Sequence, residues 1–117
     1  QKAHEDESIK KAQEFIESNF HDKIAIDQLA DMFAIGRRSF ERRFKKATNN
    51  TVVEYMHRVK VEFAKRSFES SRKNIHEVMY EVGYSDAKAF REVFKKITKL
   101  TPIEYRNKYN KQFVAAE

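Results

Sequence analysis

Cysteine is absent from this 117-residue chain, proline occurs once and glycine twice. Without cysteine there is no disulfide framework and no thiolate metal site. With so few helix breakers, helices are free to run long and turns are few. No apolar run approaches eighteen residues and no secretory signal is visible, so a soluble cytoplasmic protein, with no membrane partner, is the expectation. His4, His21, His57 and His76 show no metal spacing. There is no nucleophile constellation and no phosphate loop; Ser85-Asp86 reads as a helix start rather than a catalytic pair. Neither enzyme activity nor a cofactor is expected.

Charged residues are plentiful, at 36% with a formal net charge of +6. Ten Phe and five Tyr supply enough apolar bulk for a core, so disorder is not expected. The length suits one compact domain, or two very small units. The charge is unevenly placed. Glu5, Asp6, Glu7, Glu14 and Glu17 make the start acidic, whereas Arg37 to Lys46 holds six cations against one Glu. Such a run is either a solvated helix face or the footprint of a polyanionic partner.

A repeat decides between these readings. Phe40-x-x-x-Phe44-Lys45-Lys46-x-Thr48-x-x-Thr51-x-x-Glu54-Tyr55 returns fifty residues later as Phe90-x-x-x-Phe94-Lys95-Lys96-x-Thr98-x-x-Thr101-x-x-Glu104-Tyr105. Two copies of one basic unit suit a repeating anionic object, and DNA is the obvious one.

Apolar periodicity predicts seven helices and no strand, an all-α fold. Ile9, Ala12, Phe15, Ile16 and Phe20 give a first helix over 8–20. Ile26, Leu29, Ala30 and Phe33 give a short second one. Gly36 is expected to supply the turn conformation before a basic helix over 37–47, which buries Phe40 and Phe44. Thr51 and Glu54 read as a capping box opening a long helix to Ser70, with Val52, Met56, Val59, Phe63, Ser67 and Phe68 inward. Asn74 and Glu77 open a short helix with Ile75, Val78 and Val82 inward. After a turn at Gly83-Tyr84-Ser85, capped by Ser85 or Asp86, a helix over 86–97 buries Phe90, Phe94 and Ile97. Thr101-Pro102-Ile103-Glu104 opens the last helix, and the tail after Lys111 is expected to fray. The organisation is therefore one unit over 8–50, a linker helix over 51–70 and a second unit over 74–110. Each unit pairs a short helix with a longer basic one across a three- or four-residue turn, the helix-turn-helix arrangement.

The linker spans about 30 Å at 1.5 Å per residue, and major grooves on one face of B-DNA recur about every 34 Å. Two recognition helices in successive grooves are the expectation. On the first, Arg38 and Arg42 suit bidentate contact with guanine O6 and N7. Glu41 either accepts from cytosine N4 or holds Arg37 or Lys45 in place. On the second, Ala87, Lys88, Arg91 and Glu92 face outward, and Ala87 suits a thymine methyl. Phosphate contacts are expected from Arg37, Lys45, Arg58, Lys96 and Arg106, and from the backbone N–H groups that follow Thr51 and Thr101. The Phe pairs read as core, which argues against RNA stacking. The other reading is a helical protein-interaction module docking an acidic partner such as a polymerase subunit.

Gly83-Tyr84-Ser85-Asp86, Phe90-x-x-x-Phe94-Lys95-Lys96 and Thr101-Pro102-x-Glu104-Tyr105-Arg106, with Arg38-Ser39-Phe40-x-Arg42-Arg43-Phe44, resemble the C-terminal DNA-binding domain of the AraC/XylS family of bacterial transcription regulators. The likeness runs from Ile9 to Tyr109. It implies a seven-helix domain that binds double-stranded promoter DNA, activates transcription and contacts RNA polymerase, in the bacterial cytoplasm on the nucleoid. It places base reading on Arg38, Glu41, Arg42, Ala87, Lys88, Arg91 and Glu92. It implies an upstream effector or dimerisation domain beyond this chain, which begins without Met, and a monomeric isolated domain. Arg38 to Phe44 is most similar to the GlxA-like subgroup, whose further domain resembles an amidotransferase. The family often has Gly where this chain has Asn49 and Lys99, a small residue at Met79, Pro at Val52 and a Ser cap at Gly36.

Overall fold

The computed structural model describes residues 6–112, so His4, Glu5 and, of the tail expected to fray after Lys111, residues 113–117 lie outside the described residues. Among the described residues seven α-helices run in order: α1 Glu7–Ser18, α2 Ile26–Met32, α3 Arg37–Thr48, α4 Val52–Ser70, α5 Ile75–Glu81, α6 Ala87–Thr98 and α7 Pro102–Tyr109. The described residues contain no strand. The chain divides into two compact units, Gln1–Val59 and Lys60–Glu117, with the boundary inside α4. Helix α4 therefore closes the first unit and opens the second.

In the first unit α3 packs on α1 and α2. Its core is Ile9, Ala12, Ile16, Leu29, Ala30, Phe40, Phe44 and the Val52 and Val59 side chains of α4. In the second, α6 packs on α5 and α7, around Val61, Ala64, Phe68, Val78, Met79, Phe90, Phe94 and Tyr105. The sequence repeat is a geometric repeat. Phe40 and Phe44 have ring centroids 5.9 Å apart, and Phe90 and Phe94 5.8 Å. Phe44–Tyr55 and Phe94–Tyr105 are both edge contacts at 5.5 Å. Such pairs add stability beyond the area they bury.

Caps explain why the basic helices end and the next begin where they do. Asn49 (φ 63°) and Lys99 (φ 74°) end α3 and α6 in the left-handed region, donating to the carbonyls of Lys45 and Lys95 at 2.8 Å. One residue back, the Thr48 and Thr98 hydroxyls accept from the amides of Asn50 and Leu100, both at 3.1 Å. The Thr51 amide then donates to Glu54 at 2.8 Å while Thr51 Oγ1 accepts from the Glu54 amide at 3.0 Å. Thr101 and Glu104 repeat this at 2.9 and 3.2 Å. Asn74 and Glu77 form a third reciprocal cap. Between Asp86 and Ser85 it is Asp86 that caps α6, accepting from the Lys88 amide at 3.1 Å.

Several expectations are corrected. The first helix ends at Ser18, because the Asn19 side chain and backbone both donate to the Phe15 carbonyl, and Phe20 falls outside it. Gly36 is not the left-handed residue. It sits at φ −61° as the N-cap of α3, and Ala34 takes φ 55° instead. Gly83, at φ 99°, does fill that role in the second unit. The amides of Ile35 and Tyr84 each reach back five residues, to Ala30 and Met79, at 3.0 Å, so the turns open alike. The first turn has four residues and the second five, between the ends printed for α2, α3, α5 and α6. In α4 Met56 and Phe63 are only half-buried, and Val61 and Ala64 are buried in their stead. The buried stripe changes phase between Val59 and Val61, where the chain passes from one unit to the next. In α5 Met79 is buried and Ile75 half-buried, and Ile97 of α6 is also half-buried.

Candidate nucleic-acid interface

Burying Phe40 and Phe44 dictates which side of α3 faces water, since residues three and four apart share a face. Arg37, Arg38, Arg42, Lys45 and Lys46 are exposed and Glu41 is half-buried. These cations are not equivalent. Arg37 lies 3.5 Å from Asp27 of α2 and 3.7 Å from Glu41. Glu41 thus stands within ion-pair distance of Arg37, one turn earlier on α3. Arg42 donates weakly to Ser39 Oγ at 3.4 Å, and Lys45 reaches the Asn49 carbonyl at 3.4 Å; both bonds are exposed. Arg38 is exposed at the N-terminal turn of α3.

Arg43 is withdrawn from this set. Its Nε and Nη2 donate to the two carboxylate oxygens of Asp6, each at 2.8 Å. Asp6 is also the N-cap of α1, accepting from the Ile9 amide. The guanidinium bond holds the Asp6 carboxyl below the usual range, and the carboxylate in turn raises the Arg43 pKa. One of the six cations of the basic run therefore fastens α3 to α1. No periodicity identifies Asp6 as its partner, because the two lie 37 residues apart.

On α6 the burial of Phe90 and Phe94 leaves Ala87, Lys88, Arg91, Glu92, Lys95 and Lys96 exposed. Fifty residues apart, Lys88 matches Arg38, while Arg91-Glu92 stands where Glu41-Arg42 stands in α3. The sign of charge at those two positions is reversed between the units. A pair of helices on one scaffold thus presents two different hydrogen-bonding faces.

The phosphate candidates sit around the following helix starts. Arg58 Nε donates to Asn50 Oδ1 at 3.1 Å, beside the Thr51 cap of α4. In the second unit Ala87 and Arg91 of α6 line one cavity of about 410 Å³ with Thr101 and Arg106 of α7. The structure thus brings two expected base readers and two expected phosphate contacts together. Lys96 lies outside this cavity, near the C-terminal end of α6.

The helices that carry these starts are anchored by a repeated phenol, half-buried at Tyr55 and buried at Tyr105. The Tyr55 hydroxyl donates to Glu17 of α1, and the Tyr105 hydroxyl to Glu69 of α4. Burial, then the neighbouring carboxylate, raises both tyrosine pKa values well above the ordinary phenol.

Sequence comparison matches residues 29–108 to a helix-turn-helix domain family. An uncharacterised helix-turn-helix-type transcriptional regulator from Pseudoalteromonas carrageenovora is 32% identical over 102 residues, which cover 87% of this chain and 60% of the relative. The xylose operon regulatory protein of Escherichia coli K12 is 32% identical over 87% of this chain and 26% of its own length. This chain thus spans less than two thirds of the length of both relatives. Among solved structures, the DNA-binding domain of AdpA, crystallised with a target DNA, superposes with a TM-score of 0.83 at 24% identity, covering 90% of this chain and 95% of that one. The seven-helix order, the two helix-turn-helix units and the match over residues 29–108 place this chain in the AraC/XylS family of helix-turn-helix transcription regulators.

Proposed function

We propose that this chain binds double-stranded promoter DNA in a sequence-specific way and regulates transcription. The observation that carries the reading is the exposed, cationic side of α3, set on a helix-turn-helix frame that recurs at α6. Arg38 and Arg42 are the base readers of α3, with Glu41 orienting Arg37. Ala87, Lys88, Arg91 and Glu92 read bases from α6. Arg37, Lys45, Arg58, Lys96 and Arg106, with the helix starts after Thr51 and Thr101, take phosphates. The AdpA domain bound to its target DNA supports the same use of this fold. No catalytic step belongs to this reading. It includes a monomeric domain that contacts RNA polymerase, and a cytoplasmic, nucleoid-bound location; among the described residues no helix is long and apolar enough to cross a membrane.

Fluorescence anisotropy with genomic fragments at several salt concentrations tests the reading. Log K falls steeply with log salt, and selected sites bind about a thousandfold or more tighter than random duplex. Weak, salt-insensitive binding to every duplex defeats it. Selection from random duplexes also gives the footprint. A footprint of about two helical turns supports engagement of both units, and one confined to a single turn defeats it.

A further inference from the structure

We infer that Asn50 is a positioning residue of the first unit, a neutral amide that holds the Arg58 guanidinium ready for a DNA phosphate. The inference rests on the proposed function, which gives Arg58 to phosphate, and names the group that sets its geometry.

Asn50 lies between the left-handed Asn49 that ends α3 and the Thr51 cap that opens α4. Its Nδ2 donates to the Thr48 carbonyl at 3.1 Å. That bond decides which edge of the amide is left over and turns Oδ1 toward α4. Helical side chains lean toward the N-terminus of their own helix. Arg58 therefore reaches back eight residues, and its Nε donates to Asn50 Oδ1 at 3.1 Å. The bond takes up Nε. The two Nη groups lie beyond it on an exposed side chain, and they are the pair that can fork onto phosphate oxygens.

The second unit builds the same connection without an amide side chain. Fifty residues after Asn50 and Arg58 stand Leu100 and Lys108. The Leu100 amide donates to Thr98 Oγ1 at 3.1 Å, as the Asn50 amide does to Thr48 Oγ1. The Thr98 hydroxyl reaches the Leu100 carbonyl at 2.9 Å, and the Thr48 hydroxyl the Asn50 carbonyl at 3.0 Å. The backbone thus closes equally well on leucine, so it does not explain an amide at position 50. Lys108 meets no such acceptor at Leu100; its Nζ lies 5.4 Å from the centre of the Tyr109 ring.

Arg43 supplies the contrast within the first unit. A carboxylate holds it through two bonds of 2.8 Å, and the countercharge cancels it where it stands. An amide oxygen orients a guanidinium and brings no countercharge, so the cation is kept for the phosphate. Fixing the side chain beforehand also lowers the entropy lost when DNA binds.

The test is a double-mutant cycle between Asn50→Leu and Arg58→Ala, read by fluorescence anisotropy on a selected and a random duplex over a range of salt. Asn50→Leu copies the second unit and keeps the fold by circular dichroism; Asn50→Ala is a second variant with the same expectation. Each lowers affinity for both duplexes by about two- to tenfold, the cost of ordering one long side chain. The salt slope and the preferred sequence stay as they were, because Arg58 still reaches its phosphate. In the Arg58→Ala chain the same changes move affinity by less than about twofold. In the free protein, ¹⁵N relaxation of the Arg58 Nε–H, identified by its loss in Arg58→Ala, shows greater mobility in Asn50→Leu than in the parent. Equal losses of affinity with and without Arg58 reveal a merely structural asparagine and overturn the inference. So do unchanged affinity, unchanged Nε relaxation or a changed preferred base. A chain that binds no duplex at all defeats the proposed function, and the inference falls with it; duplex binding without coupling defeats the inference alone.

Discussion

Tyr105 donates its hydroxyl hydrogen bond to Glu69, 36 residues earlier, and so ties the start of α7 to the end of α4. Tyr55 and Glu17 make the same tie between α4 and α1. Tyr105 is buried and Tyr55 half-buried, each edge-on to the last Phe of its basic helix. Each tie positions a helix start proposed to meet phosphate.

Replacing either phenol by phenylalanine keeps the packing and removes the bond. Since both carboxylates are exposed, each of Tyr55→Phe and Tyr105→Phe is expected to lower stability by about 1 kcal/mol in urea unfolding. The pH dependence has a definite sign. A tyrosine whose folded pKa is raised contributes fully below its ordinary pKa and loses that contribution as pH rises through the folded value. Both ties, and Tyr84, which burial pushes up to about 12, therefore weaken the fold above about pH 10. The double Tyr55→Phe, Tyr105→Phe chain shows a shallower fall in melting temperature between neutral pH and alkaline pH than the parent. An equal fall in both chains counts against the assignment.

Among the described residues, three non-glycine residues hold positive φ: Ala34, Asn49 and Lys99. A left-handed alanine or lysine costs about 1–2 kcal/mol, whereas asparagine tolerates the region better. Ala34→Gly and Lys99→Gly are each expected to raise stability by about 0.5–1 kcal/mol, after the extra entropy glycine loses on folding. Asn49→Gly changes little. Urea midpoints at unchanged slope check this, and a destabilised Ala34→Gly contradicts the backbone geometry.

Much of this fold is written locally, and the errors fall where it is not. The Phe pairs, Thr51 and Thr101 announce their helices because a buried face and a reciprocal cap are both short-range signals. Gly36 misleads, since glycine permits positive φ without requiring it; the hydrogen bond from Ile35 to Ala30 places that demand on Ala34. Met56 and Phe63 mislead because α4 serves two cores in turn, so no single apolar period runs its whole length. Asn110 gives no sequence signal at all, yet it is buried and donates to the carbonyls of Phe68 at 2.7 Å and Ser71 at 2.9 Å, where α4 ends. At the candidate site, charge and outward phase name the exposed cations. Which of them is already committed depends on distant carboxylates, as Arg43 and Asp6 demonstrate.

That pair separates a structural arginine from its neighbour. Arg43→Met is expected to lower the melting temperature and leave the preferred DNA sequence unchanged. Asp6 is held below the usual carboxylate range by Arg43. A depressed carboxyl contributes above its unfolded pKa and loses the contribution as pH falls through the folded one. The parent chain therefore loses stability below about pH 4 more steeply than Arg43→Met does. Parallel acid profiles by circular dichroism exclude the tie as a stabilising contact.

Arg42 and Arg58 separate base reading from phosphate holding. Arg42 is exposed on α3, with only a long bond to Ser39 to break. Arg42→Ala is expected to cost about 1–3 kcal/mol in DNA affinity and to relax preference at one base pair. Arg58 projects from α4 beside Asn50 and the Thr51 helix start. Arg58→Ala weakens binding to every sequence alike and lowers the salt slope by about one. A randomised site library read at two salt concentrations distinguishes them. If Arg42→Ala loses affinity uniformly and Arg58→Ala changes the preferred base, the two roles are exchanged, and α3 does not lie with its exposed face along the base edges.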